Sequence, residues 1–170
     1  DALYASLMEA AYPLWSELEE ESGEALFLRC GGFFFGPTAH PAMDATEQAL
    51  RKVGVPFETL APVAARARFP FRLRDDEYGI FEPQSGLLRA SACVLANARG
   101  ARAHGAELHE NAAVEAIEPG NEGITLRVNG ATREFDRVVV CGGPWTGPLL
   151  APWLKLPLTV TRQQYAHFGI

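Results

Sequence analysis

Apolar residues recur at steps of three and four through the opening segment, at Leu3, Leu7, Ala10 or Ala11, Leu14 and Leu18. That spacing predicts a helix with Glu17 and Glu19 to Glu21 mostly on its wet face and Gly23 as its stop. Pro13 falls inside it, where a ring in place of an N–H predicts a kink or two helices meeting. Ala25 to Cys30 and Phe33 to Phe35 then read as two short apolar strands broken at Gly31-Gly32 and ended by Gly36-Pro37. His40 to Val53 is a second amphipathic helix, with Met43, Ala45, Ala49, Leu50 and Val53 available inside and Gly54 closing it. Phe57 to Leu60 is extended, and Pro62 to Phe69 is helical up to Pro70.

The texture changes after the polar stretch Arg72 to Tyr78 and the segment Gly79 to Pro83. Ser91 is placed to cap a helix over Ala92 to His104, with Val94, Leu95 and Ala98 inward and Gly105 at its end. A strand is expected from Ala106 to Leu108 on through Val114, Ala116 and Ile117. Ile124, Leu126 and Val128 alternate with polar residues into Asn129-Gly130, a strong signal for a two-residue hairpin turn. The return strand starts at Arg133 to Phe135 and is expected to continue into Val138-Val139-Val140, an unbroken apolar run suited to a strand buried on both faces. It ends at Cys141-Gly142-Gly143-Pro144-Trp145-Thr146, where Thr146 can cap a short helix through Leu150. The glycine pair is either a tight turn or a bare strand end that lets the backbone approach a flat or charged ligand.

Composition narrows the classes. Of 170 residues, 48% are hydrophobic and 21% charged, with a formal net charge of -6. This is enough to bury a core, and it lacks the clustered Lys and Arg of a nucleic-acid binder. The longest apolar runs, Gly31 to Gly36 and Val138 to Trp145, fall far short of the ~20 residues of a membrane-spanning helix. No basic segment followed by an apolar run opens the chain, so no secretory leader is expected; the first residue is Asp1, not Met. Cys30, Cys93 and Cys141 are dispersed and form no CxxC, which suits a reducing compartment and a cytoplasmic location. His40, His104, His109 and His167 show no ligand spacing, so no metal is expected.

Several ordered pieces together resemble a known family. They are Leu14-Trp15-Ser16-Glu17-Leu18-Glu19 with Gly23, Gly31-Gly32 to Gly36-Pro37, Phe69-Pro70, and Phe81-Glu82-Pro83-Gln84-Ser85-Gly86-Leu87-Leu88. Gly100-Ala101 to Gly105-Ala106, Val114, Cys141-Gly142-Gly143-Pro144-Trp145, and Pro157 with Arg162-Gln163 complete the set. In order and spacing they resemble the D-amino-acid oxidase superfamily of FAD enzymes, and within it the monomeric sarcosine oxidase and N-methyltryptophan oxidase group.

The resemblance implies an α/β (mixed α+β) fold: residues 1–84 as part of a substrate domain, 85–152 as part of a two-dinucleotide-type FAD-binding domain, and 153–170 returning to the substrate domain. It implies that Val114 contacts the adenine end of FAD, with an ordinary core valine as the alternative. It also implies that Cys141, Gly142, Gly143 and Trp145 pass near the ribityl and pyrophosphate region. Pro144 departs from the Gly-Ala-Trp that members more often carry there. Arg162-Gln163 would lie on a strand re-entering the substrate domain. Phe33, Phe34 and Phe35 either wall a substrate pocket or form core. The GxGxxG loop of the family is not matched in this chain. The residues that hold substrate carboxylate and activate oxygen, and the cysteine that carries covalent flavin in some members, are expected outside it. No catalytic residue is therefore assigned.

The expected activity is that of an internal section of a longer flavoenzyme. The parent would oxidise the C–N bond of a secondary amine or amino acid to an imine, with oxygen reduced to peroxide. The section alone is expected to be inactive and not to hold FAD. Its partner would be a small amine or amino acid, with no nucleic acid and no membrane, and with the oligomeric state open, a monomer included. Two alternatives stand beside this: a non-catalytic α/β binding module, and another superfamily substrate such as glycine, a D-amino acid or glycerol 3-phosphate.

Overall fold

The computed structural model describes residues 2–121 and 123–166. It divides into two compact units, residues 1–108 and 109–170. Helices and antiparallel strands are mixed in the first, and the regular structure of the second is mainly sheet.

In the first unit, α1 (Ala2–Ser22) runs through Pro13 as one helix. The carbonyl of Glu9 loses its helical partner there, but both residues are exposed and water can answer it. Strand β1 (Phe27–Leu28) is shorter than its apolar run. It is followed by β2 (Gly32–Pro37) and α2 (Pro41–Val53). His40 caps α2 by accepting the Ala42 N–H on Nδ1, and Gly54 closes it at φ 80° in the left-handed region. Next come β3 (Glu58–Leu60), α3 (Pro62–Arg68), β4 (Glu77–Glu82), β5 (Leu87–Leu88) and α4 (Ala90–Ala103). Strands β2, β4 and β3 form an antiparallel sheet with β4 central, in a register that sets Phe33 against Phe81 and Phe35 against Gly79. β1 pairs with β5.

The helix α4 starts one residue before Ser91, with Arg89 at its cap and no side-chain cap bond. Its buried stripe is Cys93 and Ala96, while Val94 and Leu95 are 69% and 57% exposed. The expected phase was therefore wrong by a residue: small side chains, not the branched ones, let α4 approach Leu26, Trp15 and Leu18. Only the C-terminal half of α1 reaches that core. Leu3, Leu7 and Leu14 stay outside, each more than half exposed. Glu19 fixes the α1–β1 corner by accepting the backbone N–H of Leu26 at 2.6 Å and of Phe27 at 2.9 Å. These two charge-assisted bonds hold its carboxyl below the ordinary range, the Phe27 bond first.

The three phenylalanines of β2 do not act as one wall. Strand alternation sends Phe33 and Phe35 to one face and Phe34 to the other. Phe33 packs on Phe69 at 4.9 Å and Phe71 at 5.0 Å between ring centres, and Phe69 reaches Phe81 at 5.4 Å. Gly79 is required under this cluster, since a Cβ there would lie 2.0 Å from Cζ of Phe33.

The second unit is a three-stranded meander, β6 (Val114–Pro119), β7 (Ile124–Val128) and β8 (Ala131–Phe135). The strand expected from Ala106 begins only at Val114. Asn129 and Gly130 make the turn between β7 and β8 at φ 49° and 77°, as an Asn-Gly hairpin requires. The Asn129 side chain accepts the Ala113 N–H and donates to the Asn111 carbonyl, tying the hairpin tip to the start of β6. A 3₁₀ turn (Gly143–Trp145) leads into α5 (Thr146–Leu150), which packs against β6.

Candidate functional site

Val138 to Val140 do not form the inner strand their apolarity predicts. β8 ends at Phe135, no strand among the described residues pairs with the three valines, and Val139 is 86% exposed. A run of valines favours extended backbone, but a strand exists only where a neighbour answers its N–H and C=O groups. Without such a neighbour the segment is irregular.

The segment nevertheless lines a concavity. Val138 to Gly142 line it together with Ile117 and Leu126 of the sheet and with Val114, Trp145 and Leu149, around about 520 Å³. Ile117 and Leu126 are cross-strand partners and so share one face of the sheet. The Trp153 indole N–H donates to the Ile117 carbonyl at 2.6 Å and anchors the chain after α5 to β6. Of the residues singled out from the sequence, Val114, Cys141, Gly142 and Trp145 meet here, and Gly143 follows directly on Gly142. Val114 is 39% exposed and Trp145 73%, so neither is a core residue of this unit.

The glycine pair divides into two roles. A Cβ on Gly142 would stand 3.2 Å from Oγ1 of Thr146, so this position is tight against the start of α5. Gly143 has φ +51° and open space where a Cβ would be, leaving its backbone bare to an approaching ligand. Thr146 is the first residue of α5, not its cap; the cap position is Trp145, with no side-chain bond. At five residues, α5 is too short to offer a meaningful anion site at its N-terminus. No Lys or Arg lines the concavity. An aliphatic wall ending in bare glycine backbone is a surface on which a flat ring system or a polyol chain can lie.

Arg162 and Gln163 lie on exposed, irregular chain and not on a strand; Gln163 donates to Thr161 at 3.4 Å. Among the described residues no three His, Cys, Asp or Glu gather as metal ligands, and no helix is long and apolar enough to cross a membrane. His40 is a helix cap, His104 ends α4, and His109 lies 3.2 Å from Arg133. His167 is outside the described residues.

A second concavity, in the first unit, was not foreseen. It lies between α1, the turn after α2, and the turn joining β4 to β5, and it encloses about 660 Å³. Glu82 is half-buried in its wall and accepts the Tyr12 hydroxyl at 3.4 Å. Burial raises the Glu82 carboxyl above its ordinary range, only partly opposed by that bond. The Tyr12 hydroxyl is also raised, by burial first and then by the neighbouring Glu82. Seventy positions separate the two residues, Tyr12 on α1 and Glu82 at the end of β4, and only tertiary packing brings them together. Nothing local in the sequence signals the pair.

The chain is similar to known proteins over nearly its whole length. Over 164 residues the chain is 30% identical to N-methyl-L-tryptophan oxidase of Yersinia pestis (strain Pestoides F), covering 96% of this chain and 43% of that protein. N-methyl-L-tryptophan oxidase of Yersinia pseudotuberculosis serotype O:1b (strain IP 31758) matches to the same extent. Among solved structures, the open form of NikD, an unusual amino acid oxidase essential for nikkomycin biosynthesis, superposes with a TM-score of 0.74 at 28% identity, over 86% of this chain and 39% of that one. Glycine oxidase from Geobacillus kaustophilus superposes with a TM-score of 0.68 at 27% identity, over 86% and 40%. The chain thus spans about two fifths of the length of the relatives it matches. Residues 1–169 match the family model DAO, FAD dependent oxidoreductase, and the chain belongs to that family.

Proposed function

We propose that this chain is an internal section of a longer FAD-dependent oxidase that converts the C–N bond of a secondary amine or amino acid to an imine and passes the electrons to oxygen as peroxide. The observation that carries the reading is the family match, which runs over residues 1–169. The relatives point the substrate toward amines close to the amino-acid carbon: one is named for N-methyl-L-tryptophan, another for glycine. A sarcosine-like N-methyl amino acid is the favoured class.

When bound, FAD supplies the two-electron acceptor, and the protein supplies orientation and electrostatics. In this reading Val114, Cys141, Gly142, Gly143 and Trp145 hold part of it. The aliphatic side chains exclude water from one side of the ligand, and the bare backbone at Gly143 allows close approach. The concavity supports this, since four of the five residues share it. The exposed valines 138–140 would complete their strand against neighbours supplied by further polypeptide, and the same polypeptide would supply the pyrophosphate loop. We assign residues 1–84 to the substrate domain, 85–152 to the FAD-binding domain and 153–170 to the return. A cytoplasmic location suits the free thiols of Cys30, Cys93 and Cys141. The small amine or amino acid is the only partner proposed, and a monomer is sufficient for this chemistry.

The test is an absorbance spectrum of the longer protein, followed by a peroxide assay with sarcosine, N-methyl-L-tryptophan and glycine. Flavin absorption with peroxide release on an N-methyl amino acid is expected. A colourless protein that releases none would remove the oxidase reading.

A further inference from the structure

The second concavity has the composition of a binding site in its own right. Its volume of about 660 Å³ lies in the range of small-molecule sites. Much of its lining is hydrocarbon, from Met8 on α1 and from Leu50, Val55 and Pro56 at the end of α2 and beyond. Into this lining the fold sets one half-buried carboxylate. Glu82 follows the buried Ile80 and Phe81 on the central strand β4, so its position is fixed by the sheet and not by a loop. Its Oε1 has a single long bond from Tyr12, and its Oε2 has no partner among the described residues. No Lys, Arg or His lines the space, and the other ionisable carboxyl there, Glu9, is also acidic.

A half-buried carboxylate with spare acceptor capacity and no cation in the lining around it, the nearby Arg29 lying over Phe27 and donating to Ser16, is an incomplete arrangement, because burial penalises the charge unless a donor answers it. A neutral ligand leaves the charge unanswered, and an anion is repelled. Among the described residues no three His, Cys, Asp or Glu gather here as ligands for a metal ion. A ligand with N–H donors, one positive charge and an apolar tail satisfies both halves of the lining. We propose that this cavity binds a small organic ammonium ion, its N–H groups on the Glu82 carboxylate beside the Tyr12 hydroxyl and its hydrocarbon against Met8, Leu50, Val55 and Pro56. The site does not rest on the flavin reading, and its test is a binding measurement that needs no flavin.

Calorimetric titration of the full chain with n-hexylammonium and with the neutral 1-hexanol separates charge from hydrocarbon. The ammonium ion is expected to bind at least tenfold more tightly than the alcohol. Glu82→Gln, which keeps the shape and an acceptor for Tyr12, is expected to abolish that preference while leaving the alcohol within twofold. Met8→Trp, at a position already 44% exposed, is expected to weaken both ligands at least fivefold by filling the path of the tail. Absence of ammonium binding, equal binding of the two ligands, a preference that survives Glu82→Gln, or affinities unmoved by Met8→Trp would each overturn the proposal.

Discussion

Val139 offers a substitution whose cost depends on whether the valine segment gains neighbours. In this chain its side chain is 86% exposed. Replacing an exposed residue that has no partner changes stability by no more than about 0.5 kcal/mol, so Val139→Asp is expected to be nearly silent in residues 1–170. In the longer enzyme proposed above, the same residue is an inner-strand position. Burying the area now open would contribute about 1.5–2.5 kcal/mol, which the aspartate forfeits. A carboxylate placed there without a partner costs several kcal/mol more. Together these come to about 5 kcal/mol, more than a thousandfold in the ratio of folded to unfolded protein. Urea midpoints of the two proteins, each with and without the substitution, give the comparison, and retained flavin absorbance gives an independent readout in the longer one. A cost of several kcal/mol in the short chain would show that the segment is already packed. A silent substitution in the longer enzyme would show that no strand ever covers it.

Gly79→Ala is expected to destabilise the first unit by about 1–3 kcal/mol through overpacking against Phe33, and pairing it with Phe33→Leu should recover part of that loss; simple additivity in urea unfolding would contradict the contact. Asn129→Ala should cost about 1–2 kcal/mol, because it removes two side-chain bonds and puts alanine at a positive φ, as read from the thermal midpoint. Glu19 gives a pH test. Its carboxyl is lowered in the folded state from the ordinary 4.5, so its stabilisation is present above that pH and is lost as pH falls through the lower folded value. Glu19→Gln should therefore flatten the acid limb of the stability curve, and an unchanged limb would remove the Leu26 and Phe27 bonds from the account. Glu82 has the opposite sign, since burial favours its protonated form and ionisation costs stability as pH rises through its raised value. Glu82→Gln should be relatively more stable at neutral pH than at acid pH, and a reversed order would contradict the half-buried carboxyl.

What could be read from the sequence was local in origin. The Asn129-Gly130 turn is specified by two residues that tolerate positive φ, and it sits where expected. The helix over Pro41–Val53 is bounded by its own cap and its own glycine, and it too is found at its expected place. Val138 to Val140 failed for the opposite reason, because strand formation depends on neighbours that periodicity cannot supply. The phase of α4 also followed from a partner: Trp15 and Leu18 select Cys93 and Ala96, while the larger Val94 and Leu95 made the wrong face look more apolar. For Phe33 to Phe35, simple alternation was enough to split the run, and the outcome depends on Gly79 leaving room beneath one ring. Tyr12 on α1 and Glu82 at the end of β4 meet through tertiary packing that no short motif encodes. Val114 was singled out through family resemblance and Gly142 also through the glycine pair itself; that they line one concavity with Ile117 and Leu126 depends on tertiary packing that neither signal encodes.

Backbone amide exchange over residues 138–146 in the longer protein, compared with and without FAD, reports most directly on whether the segment leaning over that concavity meets a dinucleotide. Slowed exchange at Val139, Val140, Gly142 and Gly143 on addition of FAD is the expected result. Exchange that stays as fast as in residues 1–170, while amides elsewhere in a flavin-loaded protein become protected, would mean that the cofactor never touches this surface.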